Sequence, residues 1–433
     1  MNAGFQTAQR WAGQHRLLLS VLLIAWLHSP FYVVTLPPWD LYDEEQHLSY
    51  ALTLRDERRI PRLDEPIQPA ILESAIATDR WDAFRLTMPP DVSTPEAAGL
   101  EGRSYEAYQP PLTYGILAIV TLPADDDVLD SLYAARVFGS LLFVVLVALT
   151  WSLAAAWFPS SRAVAAGAAL LVAAFPAAVQ ASARVSNDLL AAVLITGTLL
   201  ALTRLLATPG LWWAGTTGVL AAAGLLTKSH SLIALPVIVV GLAILWRRGR
   251  LSHPLIALTL LPSVVAAGIW SLVIYRRYGV IDGTSAYLER YQTYQPLPWE
   301  KFLKTFWLNS WSDYWGAYGG AGNLLVITNL LLIAIIVVGL AGVIRRAAPA
   351  VPVLLTATLV IVLLAALVYA NHTAIVRPGG RILLPAYPAL AALLVYGWSR
   401  LGTRWLVWLP PLAITAASVT YIVRWYAPFF WQS

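Results

Sequence analysis

The chain contains no cysteine. Neither a disulfide framework nor a thiolate metal site can form, and the redox environment of its loops goes unmarked. Charge is scarce too: Asp, Glu, Lys and Arg make up 12% of the 433 residues, against about 25% in soluble domains. No Gly-rich phosphate loop follows a strand pattern, and no short-period repeat or low-complexity tract occurs. The formal charge of +5 is scattered over helix ends with no aromatic-basic surface run, which argues against a nucleic-acid partner.

What the chain has instead is apolar length. Hydrophobic residues make up 58%, in blocks of about 18 to 25, enough to cross a hydrocarbon core of roughly 30 Å as helix. These blocks predict an all-α polytopic membrane protein, one transmembrane domain over 1–433. About eleven spans are expected, at 15–36, 131–158, 162–183, 188–206, 211–227, 230–246, 253–275, 323–344, 350–370, 382–398 and 404–424. The first block ends at Pro37-Pro38-Trp39 without a small-residue cleavage site and is expected to stay as an anchor. Arg247-Arg248-Gly249-Arg250, Arg345-Arg346 and Arg400 to Arg404 mark the cytoplasmic side, together with the N-terminus. Alternation then places 37–130 and 276–322 outside as long extracytoplasmic loops. All 24 acidic residues fall on that side, at 40–130, at Asp188 or at 282–313. Pro110 to Leu122 is too short to span, so the first loop is expected to contain interfacial helices.

The outer face carries the candidate chemistry. Asp43-Glu44-Glu45-Gln46-His47 follows the first span, where Asp43 could cap an interfacial helix or act as a general base, and Asp43 with His47 could hold a divalent metal. Asp40 and Glu45 are expected to be solvated. Arg184-Val185-Ser186-Asn187-Asp188 lies in an outer turn, with Arg184 a natural ion partner for Asp188. Lys228-Ser229-His230 and Arg377-Pro378-Gly379-Gly380-Arg381 offer cations for a phosphate or for lipid headgroups. Tyr105, Gln109 and Trp315 stand in aromatic stretches that could anchor at the membrane surface or contact a sugar. Carboxylates at one end and cations at the other suit displacement of a lipid phosphate by a hydroxyl.

The order of these motifs resembles the C-type (GT-C) glycosyltransferase superfamily, particularly bacterial polyprenyl-phosphate-sugar-dependent transferases related to protein O-mannosyltransferases and the aminoarabinose transferase. The resemblance rests on Tyr42-Asp43-Glu44-Glu45-Gln46-His47, Tyr108-Gln109-Pro110-Pro111-Leu112, Ala183-Arg184-Val185-Ser186-Asn187-Asp188, Leu226-Thr227-Lys228 and Gly380-Arg381-Ile382-Leu383-Leu384-Pro385. It implies Asp43 as catalytic base, with Glu44 and Asp188 as the further acidic positions. Arg184, Lys228, His230, Arg377 and Arg381 would lie near the donor phosphate, and His47, Tyr105, Gln109, Asn187 and Trp315 near acceptor or sugar. Gln109 stands where related enzymes often carry a cation. The expected partners are a polyprenyl-phosphate-linked sugar, a lipid, glycan or protein acceptor, and membrane lipids, at the plasma (inner) membrane. The residues alone leave open a lipid-linked glycan polymerase or ligase, and a lipid or solute transporter, although charges at span ends fit transport poorly.

Overall fold

The computed structural model describes residues 2–39, 43–80, 102–124, 127–291, 298–305, 322–345, 348–372, 380–401 and 404–421. Among the described residues the protein is all-helical, its one extended pairing a single antiparallel bridge between Pro66 and Arg103. Each apolar block named above carries helix. Among the described residues, seven helices are long and apolar enough to cross a membrane, or eight if the pair Arg162–Ala174 and Pro176–Ser182 forms one broken span. The break has a covalent cause. Pro176 has no N–H to continue the ladder but suits the first position of a new helix, and the two pieces bend by 62° at Phe175.

The bundle is held by small residues. Val164 to Ala174 are buried on every side of their helix, as expected of a helix enclosed by others. Ala-rich faces let backbones approach where lipid offers no hydrophobic drive between helices. One such close approach is at Gly139, where an added Cβ would sit 2.4 Å from the carbonyl oxygen of Ser182. There the Val128–Trp157 helix lies against the end of the broken span. Ser29 reaches the same place, donating to Ser140 at 2.8 Å and pairing with Ser182 at 2.5 Å.

The segment after the first span forms its own small layer on one end of this bundle. Its helices Glu44–Glu57, Pro69–Ala77 and Leu112–Val120 close over a second core that includes Trp39, Leu48, Leu52, Ile71, Tyr114 and Leu117. The Leu112–Val120 helix has nine residues, about 14 Å of helix, too short to cross. Asp127 caps the following long helix, accepting from the backbone of Leu129 at 2.8 Å and Asp130 at 3.0 Å. A third cluster, Leu63, Ala107, Trp270, Ile274 and Ala286, fastens the layer to the His253–Tyr278 and Gly283–Tyr291 helices.

Candidate active site

The acidic run at 43–45 turns its three carboxylates to three different partners. Asp43 occupies the N-cap position of the Glu44–Glu57 helix, but its backbone is left-handed (φ 62°) and its side chain makes no capping bond. The expected side-chain cap is thus replaced. The Asp43 carbonyl accepts from the backbone of Gln46 and His47, while the carboxylate accepts from the Tyr105 hydroxyl at 2.6 Å. Glu44 is fully buried and meets the fully buried Arg136, which donates from Nε at 2.9 Å and Nη2 at 2.6 Å. The same guanidinium donates to the carbonyls of Leu36 and Pro37, and Glu44 accepts from the backbone of Val185 at 3.0 Å. One ion pair therefore ties the end of the first span, the start of the next helix and the turn before Asp188. Glu45, expected to be solvated, is buried, because Arg80 donates to it at 2.7 Å.

A second layer of contacts runs through Tyr114. Its hydroxyl lies 2.9 Å from His47 Nδ1 and accepts from the Asn187 amide at 3.3 Å. Its ring stacks on Tyr50 with centroids 3.8 Å apart, an arrangement worth roughly 0.5–1.5 kcal/mol beyond burial. Tyr50 in turn donates to the Gln109 carbonyl at 3.2 Å. Among the described residues, Gln109 Oε1 and Asn187 Oδ1 are buried without a hydrogen-bond partner. Asp188 opens the Asp188–Ala207 helix and pairs with Lys228, beside the half-buried His230. Asp188 thus meets Lys228, which comes from another turn. Arg184 and Ser186 edge a narrow cleft with Thr113, Phe138 and Leu189.

The electrostatics follow from burial. The Tyr105 hydroxyl is pushed well above its ordinary pKa by desolvation first, and then by the negative charges of Asp43 and Glu45. It stays a proton donor to Asp43 across the physiological range. Tyr114 and Tyr108 are raised chiefly by burial as well. Among the described residues, no three or more of His, Asp and Glu gather where they could hold a metal ion. His47 and Asp43, paired in sequence by helical spacing, have turned to Tyr114 and Tyr105.

Residues 109–275 match the family described as dolichyl-phosphate-mannose-protein mannosyltransferase, under half of the chain. The crystal structure of ArnT from Cupriavidus metallidurans bound to undecaprenyl phosphate is similar at 17% identity and a TM-score of 0.57, over 94% of this chain and 64% of ArnT. The apo crystal structure of ArnT is similar at 16% and 0.58, with the same coverage. The chain has the GT-C glycosyltransferase fold. The GT-C arabinosyltransferase EmbB from Mycobacterium smegmatis is similar at 15% identity and a TM-score of 0.50, over 88% of this chain and 30% of EmbB. The chain thus spans less than two thirds of the length of ArnT. No curated protein sequence matches it.

On this GT-C frame, the structure joins Asp43, Glu44, His47, Tyr105, Gln109, Asn187, Asp188 and Lys228 through chains of contact at one end of the bundle. Arg377, Trp315 and the side chain of Arg381 lie outside the described residues. Arg80, Arg136, Tyr50 and Tyr114 were not singled out from sequence. Arg136 carried the clearest signal, the one charge beyond the first turn of an apolar helix, where a charge is costly unless partnered.

Proposed function

We propose that this chain is a membrane glycosyltransferase that moves a sugar from a polyprenyl-phosphate donor to an acceptor hydroxyl on the extracytoplasmic face. Asp43 is the base. It takes the acceptor proton as the acceptor oxygen bonds to the anomeric carbon, and the bond from that carbon to the phosphate oxygen breaks with inversion. The polyprenyl phosphate leaves with the electron pair, its new charge met by cations of the neighbouring turns, Arg184, Lys228 and His230. Arg377 and Arg381 are assigned the same role by motif. Gln109, Asn187 and His47 line the sugar and acceptor side, and the donor is a hexosyl or pentosyl lipid.

The observation that carries this reading is the separation of roles within one acidic run. Glu44 and Glu45 each meet a buried arginine, and Asp43 stands on a left-handed backbone with the Tyr105 hydroxyl donating to its carboxylate. A carboxylate placed that way contributes on the order of 10²- to 10⁴-fold as a base. The Asp43→Asn variant, reconstituted with a panel of polyprenyl-phosphate sugars and followed by mass spectrometry, should bind donor normally and transfer nothing. Near-normal turnover would sink the assignment.

A further inference from the structure

The turn that carries Asp43 is gripped from one side by a residue outside the motifs. Arg80, at the end of the Pro69–Ala77 region, is only 5% exposed. Its Nε donates to the backbone carbonyl of Trp39 at 2.9 Å, and its Nη2 donates to Glu45 at 2.7 Å. Those two contacts lie on opposite sides of Asp43 in sequence. Trp39 is itself left-handed (φ 60°) and fully buried, with its indole N–H donating to Ser74 at 3.1 Å. Left-handed backbone strains a non-glycine residue and persists only where surrounding contacts over-determine it. Here two such residues, Trp39 and Asp43, bracket one short stretch, and a single guanidinium spans the bracket.

We propose that Arg80 is a positioning residue for Asp43, holding the carboxylate at the angle where Tyr105 meets it and the acceptor can reach it. Arg80 acts through Trp39 and Glu45. It acts by fixing the backbone on both sides of the base, which a planar fork with several donors does and a lysine point charge does not. The inference rests on Asp43 being the base.

The test is a kinetic split. Arg80→Met should lower kcat by on the order of 10², the cost of displacing a catalytic group by about an ångström, while KM for the polyprenyl-phosphate donor stays within about twofold. Arg80→Lys should resemble Arg80→Met. Glu45→Gln, which keeps the shape and a weaker hydrogen bond, should give a smaller loss in the same direction. Because Arg80 and Tyr105 act on the same carboxylate, the double variant R80M/Y105F should lose less than the product of the two single losses. Unchanged kcat in R80M and E45Q, or losses that multiply, would overturn the proposal. If R80M does not yield folded protein, E45Q and its pairing with Y105F decide the matter. D43N keeps the two ideas apart: turnover surviving in D43N removes the base assignment, whereas inactive D43N beside fully active R80M removes only the role of Arg80.

Discussion

Arg136 and Glu44 are joined by two hydrogen bonds of 2.9 and 2.6 Å with neither side chain exposed to solvent. Removing one member of such a pair leaves a buried charge without its counter-ion and costs about 3–5 kcal/mol, whereas replacing both by apolar groups is often close to neutral. Arg136→Met should therefore sharply lower the thermal midpoint of the detergent-purified protein, and R136M with Glu44→Leu should recover part of it. Recovery will be incomplete, because Arg136 also satisfies the carbonyls of Leu36 and Pro37.

Tyr105 provides a second expectation, with a definite sign in pH. Its hydrogen bond to Asp43 is charge-assisted, a class worth about 1.5–3 kcal/mol, so Tyr105→Phe should reduce turnover by roughly 10- to 100-fold. Burial, then Asp43 and Glu45, hold its hydroxyl protonated in the folded state to well above the ordinary value. The unfolded chain ionises near pH 10. The stability linked to this group is thus fully present below about pH 10 and is lost as pH rises further. Thermal midpoints measured from pH 8 to 11.5 should fall more steeply for wild type than for Y105F.

How much of this was legible in the sequence differs by the range of the contact involved. The apolar blocks were legible because length and composition suffice to make a helix in lipid, and each block named from sequence carries one. The break at Phe175 was not, since 162–183 reads as one continuous apolar run and only its proline hints otherwise. Asp43 could be chosen over Glu44 and Glu45 only by resemblance. The contacts that distinguish the three carboxylates lie far along the chain, in Arg80, Arg136 and Tyr105. Glu45 looked solvated for the same reason: a polar segment gives no sign that one of its own arginines folds back to bury it.

Lys228 and Asp188 form an ion pair between two turns, with side chains 16% and 5% exposed. If the lysine meets the donor phosphate, Asp188 competes with that phosphate for it. Asp188→Asn should then raise affinity for polyprenyl phosphate by roughly tenfold and Lys228→Met lower it by a similar factor, each about 1.4 kcal/mol. Opposite signs in a binding titration with polyprenyl phosphate alone are the expected outcome. Losses in both variants would instead assign the pair a purely structural role.

Gly283 sets helix propensity against packing. It begins the Gly283–Tyr291 helix, and alanine is favoured over glycine inside a helix by about 0.8–1.0 kcal/mol. Yet a Cβ at this position would lie 2.4 Å from the carbonyl oxygen of Tyr108, a backbone atom that cannot rotate aside. Overpacking of that kind costs typically 1–3 kcal/mol, so the contact outweighs the propensity. Something must shift, and the Gly283–Tyr291 helix is held in place elsewhere. Asp64 donates its backbone N–H to the Tyr291 hydroxyl at 2.9 Å, and its carboxylate pairs with Arg290 of the same helix. The short Tyr105–Tyr108 turn is the piece left to yield, and it carries the hydroxyl that meets Asp43. Gly283→Ala should lower the thermal midpoint modestly and reduce turnover to about the level of Y105F. Adding it to Y105F should then cost little more, as kinetics of the double variant would show.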